Sequence, residues 1–169
     1  MNTSVSEKMV ALQMRVLTHV QQAIGDLGYA TRVFESTEEP QTLPGPLLVV
    51  GVEKDNQGRE RIIHFGFLPL PADDDFDYLS LLQCYAPLPF AVPEERRQAV
   101  EHALSSVNRQ TTVGYFGITA DGHPFYRYIL ATPKWALLEV ETIQQLLLLF
   151  THMQNRFSPL IEAVVQGKF

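Results

Sequence analysis

The run from Glu95 to Leu130 constrains the fold more than any other part of this chain. Val100, Ala103, Leu104 and Val107 recur at spacings of three and four, which predicts a helix with one buried stripe. Pro93 suits its first turn, where the missing N–H costs nothing, and Glu94 and Glu95 favour the positive end of the helix dipole. Asn108 reads as the break and C-cap. Thr111 to Thr119 and Pro124 to Ala131 then read as two strands joined by Asp121-Gly122, a pair that tolerates positive φ and signals a hairpin. A helix followed by an antiparallel hairpin fixes the architecture and carries no chemical motif.

The flanking segments extend that plan. Val5, Met9, Leu12, Val16, Val20, Ile24 and Leu27 predict a first helix, with Ser4 and Glu7 at capping-box spacing and Gly28 at the C′ position. Tyr29 to Glu35 reads as a short strand, and Ser36 to Pro46 as a loop. Leu47 to Glu53, Arg61 to Leu68 and Tyr78 to Ala86 read as further strands. In the last helix, from about Leu138, Ile143, Leu147, Phe150, Phe157, Ile161 and Val164 share a face that Leu146, Met153 and Leu160 widen. Pro159 predicts a kink or a restart after Ser158. The expectation is a single domain over residues 1–169, α+β, with a mostly antiparallel sheet, helices packed on one face and the order α-β-β-β-β-α-β-β-α.

Several strands are apolar on both sides. Ile62 and Leu68 oppose Ile63, Phe65 and Phe67; Leu79, Leu81 and Tyr85 oppose Leu82, Cys84 and Ala86; Phe125 and Ile129 oppose Tyr126, Tyr128 and Leu130. Helices cover only one face, so the other should stay apolar and need a cover. The candidate partner-binding surface is Ile63, Phe65, Phe67, Leu79, Leu81, Tyr85, Tyr126 and Tyr128. Loops at Ser36 to Pro46 and Pro69 to Asp77 are the alternative cover.

Chemistry is sparse. The net charge of −6 and the scattered Lys and Arg disfavour nucleic acid and anionic membrane as partners. No apolar stretch is long enough to span a bilayer and no signal peptide is evident, so a cytoplasmic location is expected. The single Cys84 forms no internal disulfide and reads as an inert core thiol. His19, His64, His102, His123 and His152 lack metal-ligand spacing; His64 reads as a satisfied inner residue, and His19 and His152 as solvated or at packing edges. Asp73, Asp74, Asp75 and Asp77 read as a solvated acidic loop, without the glycine and closing glutamate of a calcium loop. Gly114 and Gly117 make no phosphate loop, and Glu94 to Arg97 reads as a solvated helix face. Trp135 reads as a lid over the core edge. No catalytic residue, metal or cofactor is expected.

Asn108 after the second helix, Gly117, Asp121-Gly122, Tyr126-Arg127, the approach Leu88-Pro89, Val92 and Arg97, and the closing Phe157 to Gly167 together resemble the YbjN family, also called bacterial sensory transduction regulators. The resemblance covers roughly Tyr78 to Gly167. It implies a fold like the type III secretion chaperones, small acidic homodimers that bind an extended client segment. Those chaperones have five strands as a rule and six are read here, which alters the edge where a client would lie. The resemblance carries no established biochemical activity. The expected function is therefore a non-enzymatic, chaperone- or adaptor-like homodimer with a client protein segment as a second partner. The alternative is a regulatory domain with a small molecule between helix one and the sheet.

Overall fold

The computed structural model describes residues 7–35, 43–71 and 76–168. The elements are α1 (Glu7–Gly25), β1 (Ala30–Phe34), β2 (Leu47–Val52), β3 (Arg61–Leu68), β4 (Leu79–Pro87), α2 (Arg97–Gln110), β5 (Tyr115–Ile118), β6 (Pro124–Pro133) and α3 (Val140–Val165). This is the α-β-β-β-β-α-β-β-α order that the hydrophobic periods predict. The strands form one six-stranded sheet, β1-β2-β3-β4-β6-β5, with every neighbouring pair antiparallel. The chain leaves the sheet after β4 to build α2. It returns at the far edge as β5, and the hairpin brings β6 back beside β4.

The turn at Asp121-Gly122 works through its backbone. The Thr119 amide donates to the His123 carbonyl at 2.9 Å, and the Gly122 amide donates to the Thr119 carbonyl at 3.1 Å. Gly122 sits at φ 86°, and a Cβ there would lie 2.7 Å from the Val92 carbonyl oxygen. Only glycine meets both demands. The Val92 amide in turn donates to the Gly122 carbonyl at 2.9 Å, tying the approach to α2 onto the hairpin.

All three helices lie on one side of the sheet. Val16, Leu17, Val20 and Ile24 of α1, Val100 and Leu104 of α2, and Leu147, Phe150, Phe157 and Ile161 of α3 share one core with Leu48, Val50, Ile63, Phe65, Leu82, Cys84, Phe116 and Tyr126. The end of α3 is closed by two hydrogen bonds, from the Gly167 amide to Val164 and from the Lys168 amide to Ala163, at 3.0 and 2.9 Å. This paired pattern satisfies carbonyls that a helix end leaves open. The Arg96 guanidinium donates to the Val164 carbonyl as well, placing a cation at the negative helix end.

Four local expectations are corrected. Asn108 is not a C-cap, because α2 continues to Gln110. Its side chain pairs with the edge of β5 instead: its Nδ2 donates to the Phe116 carbonyl at 2.9 Å and its Oδ1 accepts from the Phe116 amide at 2.8 Å. α3 runs unbroken through Pro159, so nothing restarts after Ser158. Phe157 and Ile161, 1% and 0% exposed, anchor both flanking turns in the core, and that packing outweighs the lost hydrogen bond. β5 begins at Tyr115 rather than Thr111. Met9, Leu27 and Leu160 are exposed, so the stripes of α1 and α3 are narrower than the sequence implies. Ser4 with its capping box, Val5, and the acidic residues Asp73, Asp74 and Asp75 lie outside the described residues.

Candidate functional site

Register determines which face each strand residue takes. Phe65 faces Cys84 across β3–β4, and Cys84 faces Tyr128 across β4–β6, so these three share the helix-covered face. His64, Tyr85 and Arg127 form the next row, on the other face. Extending the register puts Leu47, Val49, Ile62, Leu68, Leu79, Leu81, Tyr115, Phe125 and Ile129 on that second face. No helix among the described residues covers it. Ile62, Leu79 and Tyr115 are exposed there, and most of the others are half-buried.

The candidate surface read from the sequence therefore mixes two faces. Ile63, Phe65, Phe67 and Tyr126 are 0%, 6%, 3% and 0% exposed, and Tyr128 packs against the same core. These five hold the helices and are not available to a partner. Leu79, Leu81 and Tyr85 lie on the open face. The residues missed are Ile62, Leu68, Phe125 and Ile129, the opposite parity in β3 and β6. Composition could not choose between two apolar parities. The cross-strand register could, since placing Cys84 inside forces Phe65 inside.

No strand position on the open face is Asp or Glu, though the charge of Asp121 is felt at Tyr85. Among the cations of this face are Arg32 on edge strand β1, stacked over Phe34 at 4.7 Å, and Arg127 on β6, over the Tyr115 ring at 5.0 Å. Arg127 also donates to Gln83 Oε1 at 3.3 Å. His64 is on this face too, stacked with Tyr85 at 6.4 Å, and not inside the core. Leu43 reaches over Gly66, where a Cβ would lie 2.8 Å from its Cδ1. Phe125 covers Gly117, whose Cβ would meet the ring at 2.5 Å, so this glycine serves close approach in a strand. The two sheet edges differ. Asn108 occupies the outer edge of β5, while no strand pairs with the outer edge of β1 among the described residues.

The helix side has a polar cleft of about 260 Å³, between the β2–β3 loop and the second half of α3. Arg59 braces its mouth. Its guanidinium donates to Glu162 at 2.9 and 2.8 Å and to Asp55 at 2.6 Å. Those bonds, the Glu162 one foremost, raise the Arg59 pKa. Burial opposes ionisation of Asp55, but hydrogen bonds from the Arg59 amide and guanidinium and the Gln57 amide outweigh it and hold the carboxyl below its usual range. A cavity that touches α1, at Val20, amounts to about 20 Å³. A ligand between helix one and the sheet finds no room in that cavity, because Val16, Leu17, Val20 and Ile24 fill the layer.

The remaining candidates are structural. His19 Nε2 lies 2.6 Å from the Leu138 carbonyl, at a packing edge. Trp135 packs its ring edge-on to Phe67 at 5.2 Å and its amide donates to Ser80 Oγ, so it covers the core edge. No group of three His, Cys, Asp or Glu among the described residues could hold a metal ion. Cys84 is buried, and burial pushes its thiol up to about 12. The native state thus holds the proton that the unfolded chain releases near 9.0. Stability from this group is complete below that value and falls as pH rises towards the folded pKa. At pH 8 a thiol reagent should label Cys84 at least a thousandfold more slowly in the native protein than in denaturant, because labelling waits for opening. Rapid stoichiometric labelling without denaturant would show the thiol to be accessible.

No helix among the described residues is long and apolar enough to cross a membrane. No family model matches the chain, and no curated protein matches it. Among solved structures the chain is similar to the crystal structure of YbjN from E. coli, provisionally described as a transcription regulator, with 10% identical residues, 90% of each chain covered and a TM-score of 0.43.

Proposed function

We propose that this chain is a non-enzymatic protein-binding module, chaperone- or adaptor-like, whose open sheet face is covered by a second copy of itself. The observation that carries this is the apolar cluster of Leu68, Leu79, Leu81 and Ile129 in the middle strands, with Ile62 on the other side of the His64–Tyr85–Arg127 row. Each such side chain gains about 1.5–3 kcal/mol when removed from water. Six strands about 4.8 Å apart and some 20–25 Å long present a footprint of roughly 600 Å² before side-chain relief is counted. A biological interface should clear about 1,000 Å² in total, or roughly 500 Å² per partner, so this face is large enough for a small dimer contact. A polar row of His64, Tyr85 and Arg127 crosses the face, Arg127 reaches Gln83 on the central strand, and Arg32 lies at the β1 edge, so apolar contacts would be flanked by polar groups that set their register. The single buried thiol fits a reducing cytoplasm. An extended client segment would add at β1, the edge that no strand occupies among the described residues.

Sedimentation velocity tests the reading. The wild-type chain should be a dimer at micromolar concentration. Leu81→Asp should weaken dimerisation at least a hundredfold, because a carboxylate would be buried in the contact without a partner. Ile62→Asp, on the neighbouring strand, should do the same, with the far-ultraviolet spectrum of each monomer unchanged. A wild-type chain that stays monomeric at tens of micromolar would sink the proposal.

A further inference from the structure

We propose that the cleft between the β2–β3 loop and α3 is a binding site for a small organic carboxylate that also carries an amide or hydroxyl group. The site lies on the helix side of the sheet and is independent of the open face. Its volume, about 260 Å³, exceeds the room for a single water and approaches the lower end of metabolite pockets.

Two buried side chains line it. Gln154 is 0% exposed, and both its amide nitrogen and its amide oxygen are buried without a hydrogen-bond partner among the described residues. A buried amide is normally paired, so one with neither atom met asks for a group that accepts and donates side by side. Arg61 is 5% exposed. Its donors go to neutral oxygens: the Glu53 carbonyl at 2.7 Å, Asn155 Oδ1 at 2.5 Å and, more distantly, the Lys54 carbonyl at 3.5 Å. Burial lowers its pKa, while the charges of Asp55 and Glu53 oppose that at longer range. No carboxylate forms an ion pair with it among the described residues.

The nearby acids do not fill this need. Glu53, Asp55 and Glu162 line the cleft; Arg59 takes Asp55 and Glu162 through short hydrogen bonds, and Glu53 acts on Arg61 only through its charge. Arg61 therefore has no carboxylate within hydrogen-bond reach among the described residues, and its planar fork matches one. The carboxylate would meet Arg61 and the second polar group would meet Gln154. The hairpin loop and α3 would be drawn together across the same ligand, reinforcing the Arg59–Glu162 brace.

Thermal unfolding with L-malate, L-asparagine and inorganic phosphate, followed by calorimetric titration, decides this. Malate or asparagine at a hundred times its Kd should raise Tm by about 5–10 °C, and phosphate should not. Gln154→Leu should raise the Tm of the free protein, since it removes an unmet buried amide, and should abolish the ligand-induced rise. Arg61→Lys keeps the charge but loses the fork and should weaken binding at least tenfold. The proposal fails if neither organic acid shifts Tm, or if phosphate shifts it equally. It also fails if Gln154→Leu lowers the Tm of the free protein or leaves the ligand shift intact.

Discussion

Replacing Tyr126 by alanine should remove about 3–5 kcal/mol of stability, the cost of emptying a large aromatic site in a close-packed core. For a chain of this length that lowers Tm by roughly 6–20 °C. Tyr126 is 0% exposed and stands at the centre of an aromatic stack. Its ring lies 4.4 Å from that of Phe116 and 4.2 Å from that of Phe150, both nearly parallel, and Phe116 meets Phe157 edge-on at 6.0 Å. One side chain thus connects β5, β6 and two turns of α3. Its hydroxyl donates to the Val113 carbonyl, so even its polar end is satisfied. Burial pushes the phenol upward and keeps it a donor across physiological pH. Tyr126→Phe retains the stack and gives up only that hydrogen bond, which should cost about 1 kcal/mol. Equilibrium urea unfolding of both variants checks the ratio. A loss below about 1 kcal/mol for the alanine variant would show that the stack is not what joins the hairpin to α3.

Tyr126 also shows what the sequence could and could not say. Its strand was legible, because the Asp121-Gly122 turn and the β-prone residues on either side point the same way. Its face was not. Tyr126 and Phe125 are both large and apolar, and only pairing with β4 places Tyr126 beside Ala86 and Phe125 beside Pro87. The same ambiguity moved Ile63, Phe65 and Phe67 to the wrong side. The element order was legible throughout, because helix and strand periods differ and proline and glycine mark the joints. Asn108 was legible as a special position but not as a strand partner, since its bonds to Phe116 exist only after α2 packs beside β5. The cleft left no sequence signal. Arg61 and Gln154 stand 93 positions apart, and nothing local distinguishes either from a surface residue.

Gly114→Ala should be the most damaging single-methyl addition in the hairpin, at about 3 kcal/mol. Two terms combine. Gly114 sits at φ +72°, a conformation that costs an L-residue about 1–2 kcal/mol. The new Cβ would lie 2.5 Å from the Arg127 carbonyl oxygen and 3.0 Å from Cε2 of Tyr126. A backbone oxygen in a paired strand cannot step aside, so β5 must move off β6, at about 1–3 kcal/mol for an overpacked contact. Gly58→Ala separates these terms. Gly58 has nearly the same φ, +78°, but nothing within 4 Å of its Cβ position, so it should lose only the conformational part. Denaturant unfolding of the two variants should therefore differ by about 1–3 kcal/mol. The excess at residue 114 should appear locally as well. β5 is held in the sheet by β6 alone, and Asn108 clasps its other edge at Phe116. Lifting β5 to make room for a methyl strains both attachments, so the Phe116 amide should exchange its hydrogen faster in Gly114→Ala than in Gly58→Ala. Equal losses and equal exchange in the two variants would mean that residue 114 does not approach the Arg127 carbonyl so closely.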